Sequence, residues 1–192
     1  MNVALASYKF LFVPVSLGLL IPAAAIPWVN INFLGLHEFT PIQVVSELSN
    51  WGNDLGPDVG FDIRNLLVTY KGSYYSAVVS LYLYFISVAI MILSVSWRMH
   101  RSKVALAAGI LSVTSAILWL YSVQSVKESF ADQAALMGGI IGEEFKGHET
   151  TLADMLIRLG AGQYFVAASG ALGILTYVSE KKVLRKSQSA AA

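Results

Sequence analysis

Three long runs of this chain contain no Asp, Glu, Lys or Arg: residues 72–97, 104–126 and 159–179. As helices rising about 1.5 Å per residue, all three reach or exceed the roughly 30 Å of bilayer hydrocarbon. The first two are separated only by the short basic segment 98–103. The pattern therefore predicts a helical hairpin with a tight turn, followed by a further spanning helix.

A fourth uncharged run, residues 10–36, lies near the start of the chain. A signal peptide is the competing interpretation, but this run is longer than the apolar part of a typical signal, which has about 7–15 residues. We therefore predict a retained helix over 8–29, bent by Pro14, Pro22 and Pro27. The carbonyl groups that these prolines free must then find partners on neighbouring helices.

Two longer polar segments, 30–71 and 127–158, connect these spans. In the first, Thr40-Pro41 has the form of a helix cap followed by a first-turn proline, which predicts a short amphipathic helix. Residues 63–70 fit either an edge strand or the first turns of the second span. In the second segment, 127–137 has helical character, Gly138 and Gly139 are expected to break it, and a helix should resume over 151–158.

The distribution of charged residues along the chain predicts its orientation in the membrane. Lys9, the turn 98–103 and the tail 180–192 together carry eight bases and one acid, whereas the two long segments carry eleven acids and five bases. Because cytoplasmic segments are enriched in Lys and Arg, both termini should be cytoplasmic and both long segments external. The chain is thus predicted to be an all-α, single-domain membrane protein (residues 1–192), a bundle of four transmembrane helices with two external loops. We place it in the cell membrane. The first loop is predicted to carry either a short amphipathic helix or small strands.

Small residues recur on the predicted spans and should allow close helix contact. The positions singled out are Ser73, Ser80, Ser87, Ser94, Gly109, Gly162, Gly170 and Gly173. Packing within the bundle and contact with a partner protein both fit this pattern. The aromatic residues near span ends fit an interfacial aromatic belt; they are Trp28, Trp97, Trp119, Tyr121 and Tyr164.

The four-span plan, with a long first external loop and a shorter second one, resembles the claudin and peripheral-myelin-protein superfamily. Residues 160–178, GAGQYFVAASGALGILTYV, are similar to the fourth claudin helix, and Arg64 occupies a familiar place before the second span. The first loop offers only Trp51-Gly52 of the family's Trp-Gly-Leu-Trp motif and lacks its two cysteines. The resemblance implies adhesion, scaffolding or an auxiliary role, without enzyme activity.

The amino-acid composition limits the kinds of functional site that the chain can form. Only 13% of residues are charged, against about 25% in soluble domains, and there is no cysteine, so disulfides and thiolate chemistry are excluded. Apart from Lys9, at the start of the predicted helix 8–29, no charged residue lies inside a predicted span, which disfavours ion-coupled transport. One cluster has metal-ligand character: Glu143, Glu144, His148 and Glu149. Glycine at 147 argues against a shared helical face there, so we expect an incidental acidic loop, no cofactor and no nucleic-acid partner.

These observations favour a non-catalytic accessory or scaffold subunit. It would associate with other integral membrane subunits or with itself, through small-residue helix faces and its external loops. The loop residues expected to contact a partner are Trp51, Leu136, Ile140, Ile141 and Phe145. Two alternatives stay open: a subunit of a quinone-linked membrane oxidoreductase, using the tyrosines between 70 and 84, and an oligomeric channel for small solutes.

Overall fold

The structure is a computed structural model, and it describes residues 2–32, 36–50, 71–96, 101–141 and 149–189. Most of these residues are helical. The helices are α1 (Asn2–Leu20), α2 (Pro41–Asn50), α3 (Lys71–Ser96), α4 (Arg101–Ile141), α5 (Glu149–Leu156) and α6 (Ala161–Ser189). The strands are β1 (Val29–Asn32), β2 (Leu36–Phe39) and β3 (Ile157–Leu159), and a short 3-10 turn occupies Pro22–Ala24.

Three of the described helices are long and apolar enough to cross a membrane. Their apolar segments are Tyr75–Val95, Arg101–Asp132 and Ala161–Lys182, and Leu11–Ala24 forms a shorter apolar helical segment. The prediction of a helical membrane protein is in this respect confirmed by α3, α4 and α6.

The first helix ends earlier than the sequence suggests. We predicted a helix over 8–29, but α1 ends at Leu20 and Val29 already belongs to a strand. Pro22 explains this end, because it lacks an amide hydrogen and disfavours helical geometry at the residue before it. Pro14, by contrast, is accommodated inside α1.

The third long helix extends further than the predicted span 104–126. It runs without a break from Arg101 to Ile141 and so includes Gly138 and Gly139, which we expected to interrupt it. A glycine inside a helix costs only about 1 kcal/mol relative to alanine, too little to end a helix by itself. We predicted a further helix over 151–158. The observed helix is Glu149–Leu156, and residues 157 and 158 belong to strand β3 instead.

Helix α2 begins after Thr40, which caps it. The Gln43 amide donates to the Thr40 hydroxyl oxygen (3.2 Å), and the Thr40 amide donates to Gln43 Oε1 (3.0 Å). This reciprocal pair is a capping box, which satisfies two amides that the helix itself leaves unpaired. The capping residues therefore define the start of α2. Residues 63–70 lie outside the described part of the chain.

The strands form one antiparallel sheet in the order β2-β1-β3. Asn30 pairs with Glu38 on β2 and with Arg158 on β3, while Ile31 pairs with His37 and Ile157. Strands from both predicted loops thus share one sheet, with β1 in the centre.

The described chain divides into two compact units. The first, which we call the helical unit, contains residues 2–23, 80–96, 101–116 and 163–189. The second, the sheet unit, contains residues 24–32, 36–50, 71–79, 117–141 and 149–162.

Candidate functional site

Helices α3 and α4 are joined in the helical unit by serine hydroxyls. The Ser80 hydroxyl donates to the Ser115 carbonyl oxygen (2.7 Å), and the Ser115 hydroxyl donates to the Ser80 carbonyl oxygen (2.8 Å). Further along, the Ser112 hydroxyl donates to Ser87 Oγ (3.1 Å). All four side chains are fully buried. The predicted serine face of α3 therefore packs against α4 of the same chain.

Helix α1 is held on both sides by hydrogen bonds. The Ser16 hydroxyl donates to the Ser169 carbonyl oxygen (3.0 Å), and the Ser169 hydroxyl donates to the Ser16 carbonyl oxygen (2.9 Å), which joins α1 to α6. The Tyr84 hydroxyl of α3 donates to the Leu20 carbonyl oxygen at the end of α1 (2.6 Å). The Leu20 carbonyl at the end of α1 thus has a partner on a neighbouring helix. The carbonyl group that Pro22 itself frees is that of Gly18, four residues earlier, so the prediction about freed carbonyl groups stays a prediction.

Helices α4 and α6 meet through glycines. A Cβ atom added to Gly109 would lie 2.7 Å from the Gly170 carbonyl oxygen, and one added to Gly173 would lie 2.7 Å from the Ala105 carbonyl oxygen. Both distances are too short for a carbon–oxygen contact, so only glycine allows this approach. Together with the serine and tyrosine contacts, this closes a ring in which α1 contacts α3, α3 contacts α4, α4 contacts α6, and α6 contacts α1.

The remaining predicted packing residues have other surroundings. Ser94 is buried, and its hydroxyl donates to the Met91 carbonyl oxygen of its own helix (2.6 Å). Gly162 faces an aromatic ring, because a Cβ atom there would lie 2.3 Å from Trp28 Cδ1. Ser73 belongs to α3, and its side chain lies outside the described residues. The described small residues therefore make their contacts within this one chain.

Two tryptophans form the centre of the sheet unit. The rings of Trp28 and Trp119 meet edge to face, with centroids 5.2 Å apart. Both side chains are buried. For these two residues the interfacial-belt prediction is wrong, because their rings are buried against each other, whereas Tyr121 and Tyr164 are exposed. Trp97 lies outside the described residues. The Gly160 amide donates to the Trp28 carbonyl oxygen (2.9 Å), which attaches the start of α6 to the strand segment.

The two faces of the sheet differ in character. Ile31 and its partner Ile157 are buried and lie side by side on one face. Asn30, Glu38 and Arg158 form a row on the opposite face, in which the acid and the base are both exposed. Residues directly opposite in an antiparallel sheet share a face, so this row presents an acid, an amide and a base across the three strands.

Several large apolar side chains of the sheet unit are exposed outside the apolar helix segments. Leu36 on β2 is 65% exposed and Met155 on α5 is 57% exposed. On α2, Ile42 and Val45 are also exposed, while Val44 is buried. Exposed apolar groups of this size favour contact with another protein or with a membrane surface.

The tyrosines predicted to line a quinone groove point in different directions. Tyr84 is buried and bonded to α1, whereas Tyr82 on the same helix is 67% exposed. Tyr75 is likewise exposed. Tyr84 therefore does not share the exposed face of α3 on which Tyr75 and Tyr82 lie, about two helical turns apart. Tyr70 lies outside the described residues, as does the side chain of Tyr74.

Most loop residues predicted as sites cannot be placed. Trp51 and Phe145 lie outside the described chain, and so do Glu143, Glu144 and His148 of the acidic cluster. Glu149 is the first residue of α5, and Leu136, Ile140 and Ile141 belong to α4, but their side chains are not described. Among described residues, no three His, Asp or Glu side chains come together as metal ligands. The predicted partner site, and the expectation that the acidic cluster is an incidental loop, therefore stay predictions.

Among the described residues, three side chains other than Arg101 carry buried polar atoms without a hydrogen-bond partner. They are Gln163, whose amide nitrogen and oxygen are both unpaired, Trp119 at Nε1, and Asn30 at Oδ1. Gln163 is only 6% exposed. An amide near a span end could bond a neighbouring helix, but neither amide atom of Gln163 forms such a bond with a described residue.

No protein-family model matches this chain, and comparison with curated proteins finds no match. Arguments about function therefore rest on its own residues.

Proposed function

We propose that this protein crosses the membrane four times, with both termini cytoplasmic, and serves as a non-catalytic accessory or scaffold subunit. Its partners are other integral membrane proteins or a second copy of itself. The first span would be α1, whose 19 residues extend about 28 Å, close to the thickness of bilayer hydrocarbon. Its bonds to α3 and α6 support its place beside the three longer apolar helices.

The sheet unit is proposed as the surface that meets the partner. The small residues of the helical unit are already in contact with other helices of the chain, so they offer little surface to another protein. This proposal is based on the exposed apolar side chains of the sheet unit, mainly those of Leu36 and Met155. Such groups outside a membrane segment are most stable when a partner covers them.

The claudin relationship is part of this proposal and rests on the four-span plan and on residues 160–178. The non-catalytic role rests on the near absence of charged residues from the predicted spans, where Lys9 of the first span is the exception. No observation among the described residues favours the quinone or channel alternatives over the scaffold role.

Orientation can be tested with single cysteines, because the natural chain has none. Cysteine at the exposed positions Glu38 or Met155 should react with a membrane-impermeant thiol reagent in intact cells. Cysteine at Ser187 should react only after permeabilisation. Labelling of Ser187→Cys in intact cells, with protection of the other two, would invert the proposed topology.

Partner contact can be tested with two leucines that are both at least half exposed. Leu36 lies on the sheet, and Leu175 lies on the apolar part of α6 with 50% exposure. Leu36→Ala should release stoichiometric partners, or a second copy, during purification in mild detergent. The matched variant Leu175→Ala should retain them, and both should insert normally. Equal retention by the two variants would exclude Leu36 from the proposed contact.

A further inference from the structure

The packing of α4 against α6 brings two groups of basic residues to one end of the helical unit. Gly109 contacts Gly170 and Ala105 contacts Gly173, so the two helices run antiparallel. Arg101 lies one helical turn beyond Ala105, and Tyr177 lies one turn beyond Gly173 in the same direction. Each turn rises about 5.4 Å, so the start of α4 and the last third of α6 are neighbours.

The charged residues at this end of the helical unit are mostly basic. Lys103, Lys181 and Lys182 are exposed, and none of them forms a salt bridge within the described chain. The Lys181 ammonium lies 5.4 Å from the centroid of the Tyr177 ring, a cation–π contact that keeps its charge. Glu180 is the only acid in the tail.

Helix α6 continues the basic group beyond its apolar segment. The apolar part ends at Lys182, whereas the helix reaches Ser189 and includes Arg185 and Lys186. At 3.6 residues per turn, the positions 181, 182, 185 and 186 fall within an arc of about 140° on the helix. Four basic positions therefore share one side of α6, at the same end of the helical unit as the bases that begin α4.

We infer that this basic end of α4 and α6 binds the head groups of anionic phospholipids in the cytoplasmic leaflet, with preference for phosphorylated inositol lipids. Lysine and arginine donate charge-assisted hydrogen bonds to phosphate oxygens. Clusters of four to eight such residues directly beside a spanning helix attract multiply charged lipids. This inference rests on the proposed cytoplasmic position of that end.

The experiment uses the full-length protein in phosphatidylcholine nanodiscs containing a small fraction of phosphatidylinositol bisphosphate. Native mass spectrometry measures the inositol lipid retained, and thermal unfolding measures stabilisation by it. The triple variant Lys103→Gln, Lys181→Gln, Lys182→Gln should lower lipid affinity by roughly 10- to 100-fold, given the contribution expected of each base. The charge-keeping Lys→Arg triple should retain binding.

A matched control removes the same charge from the predicted external side: Lys71→Gln, Lys146→Gln and Arg158→Gln. Equal loss in the two glutamine triples would overturn the proposal, as would equal retention of phosphatidylcholine and the inositol lipid. Equally tight binding of a soluble inositol polyphosphate would show that free phosphate, not lipid, is the ligand. The nanodiscs contain no partner protein, so the lipid-binding result does not depend on whether the scaffold proposal is correct. Cysteine labelling tests the proposed orientation separately.

Discussion

The glycine contact between α4 and α6 offers the sharpest test of the helical unit. In Gly109→Ala, the new Cβ atom would lie 2.7 Å from the Gly170 carbonyl oxygen and 3.0 Å from the Ile174 amide nitrogen. Both are backbone atoms, which cannot rotate away as a side chain would. The helices must separate by roughly 0.5–1 Å. A gap of that size loses a quarter to a half of the dispersion energy of each atomic contact that it opens. Overpacking of this kind costs about 1–3 kcal/mol.

The matched control is Gly18→Ala in α1, where an added Cβ atom would meet nothing within 4 Å. Both changes gain the same helix propensity of about 1 kcal/mol, so the difference between the variants isolates the contact. For a chain of this length, 1–3 kcal/mol corresponds to a gap of roughly 2–12 °C in unfolding temperature. The assay is thermal unfolding in detergent at a fixed scan rate. Equal unfolding temperatures for the two variants would refute the close α4–α6 approach.

Two further changes test buried polar positions of the helical unit. Ser80→Leu should lower stability by about 1–3 kcal/mol in the same assay, because it overpacks the contact with Ser115, whereas Val79→Leu at the neighbouring exposed position should be nearly neutral. Gln163→Leu should raise stability by about 1–3 kcal/mol, since it removes a buried amide whose two polar atoms are unpaired. A loss of stability in Gln163→Leu would instead indicate that the amide holds a polar partner such as ordered water.

The long helices were predictable because an uncharged apolar run of about twenty residues or more is typical of a membrane-spanning helix. The start of α2 was predictable for a local reason, the pairing of Thr40 and Gln43 around Pro41. The end of α1 was not. The uncharged run continues through Val29 and Ile31, and hydrophobicity alone does not separate a helix from a buried strand of four residues. Pro22 was the useful signal, because here it terminates the helix, whereas we expected it only to bend one.

Small strands in the first loop were one of the alternatives, but their pairing with a strand of the second loop could not be predicted from sequence, for a physical reason. Strand β3 has only three residues, Ile157–Leu159, and its conformation is set by pairing with β1, more than a hundred positions earlier in the chain. The burial of Trp28 and Trp119 is equally non-local, since each ring is covered by the other. An aromatic residue near a span end fits an interfacial belt or a buried core, and composition does not distinguish them.

The buried serines bear on where function can lie. In both reciprocal pairs, Ser80 with Ser115 and Ser16 with Ser169, each hydroxyl donates to the carbonyl oxygen of the opposite residue. A hydroxyl bonded in this way stabilises the contact between two helices and has no hydrogen left to offer a solute. These serines therefore stabilise the packing of the helices. From the sequence alone, a row of hydroxyl groups would also fit a polar pathway for a solute. This is why we assign recognition to the exposed side chains of the sheet unit and lipid binding to the basic end of α4 and α6.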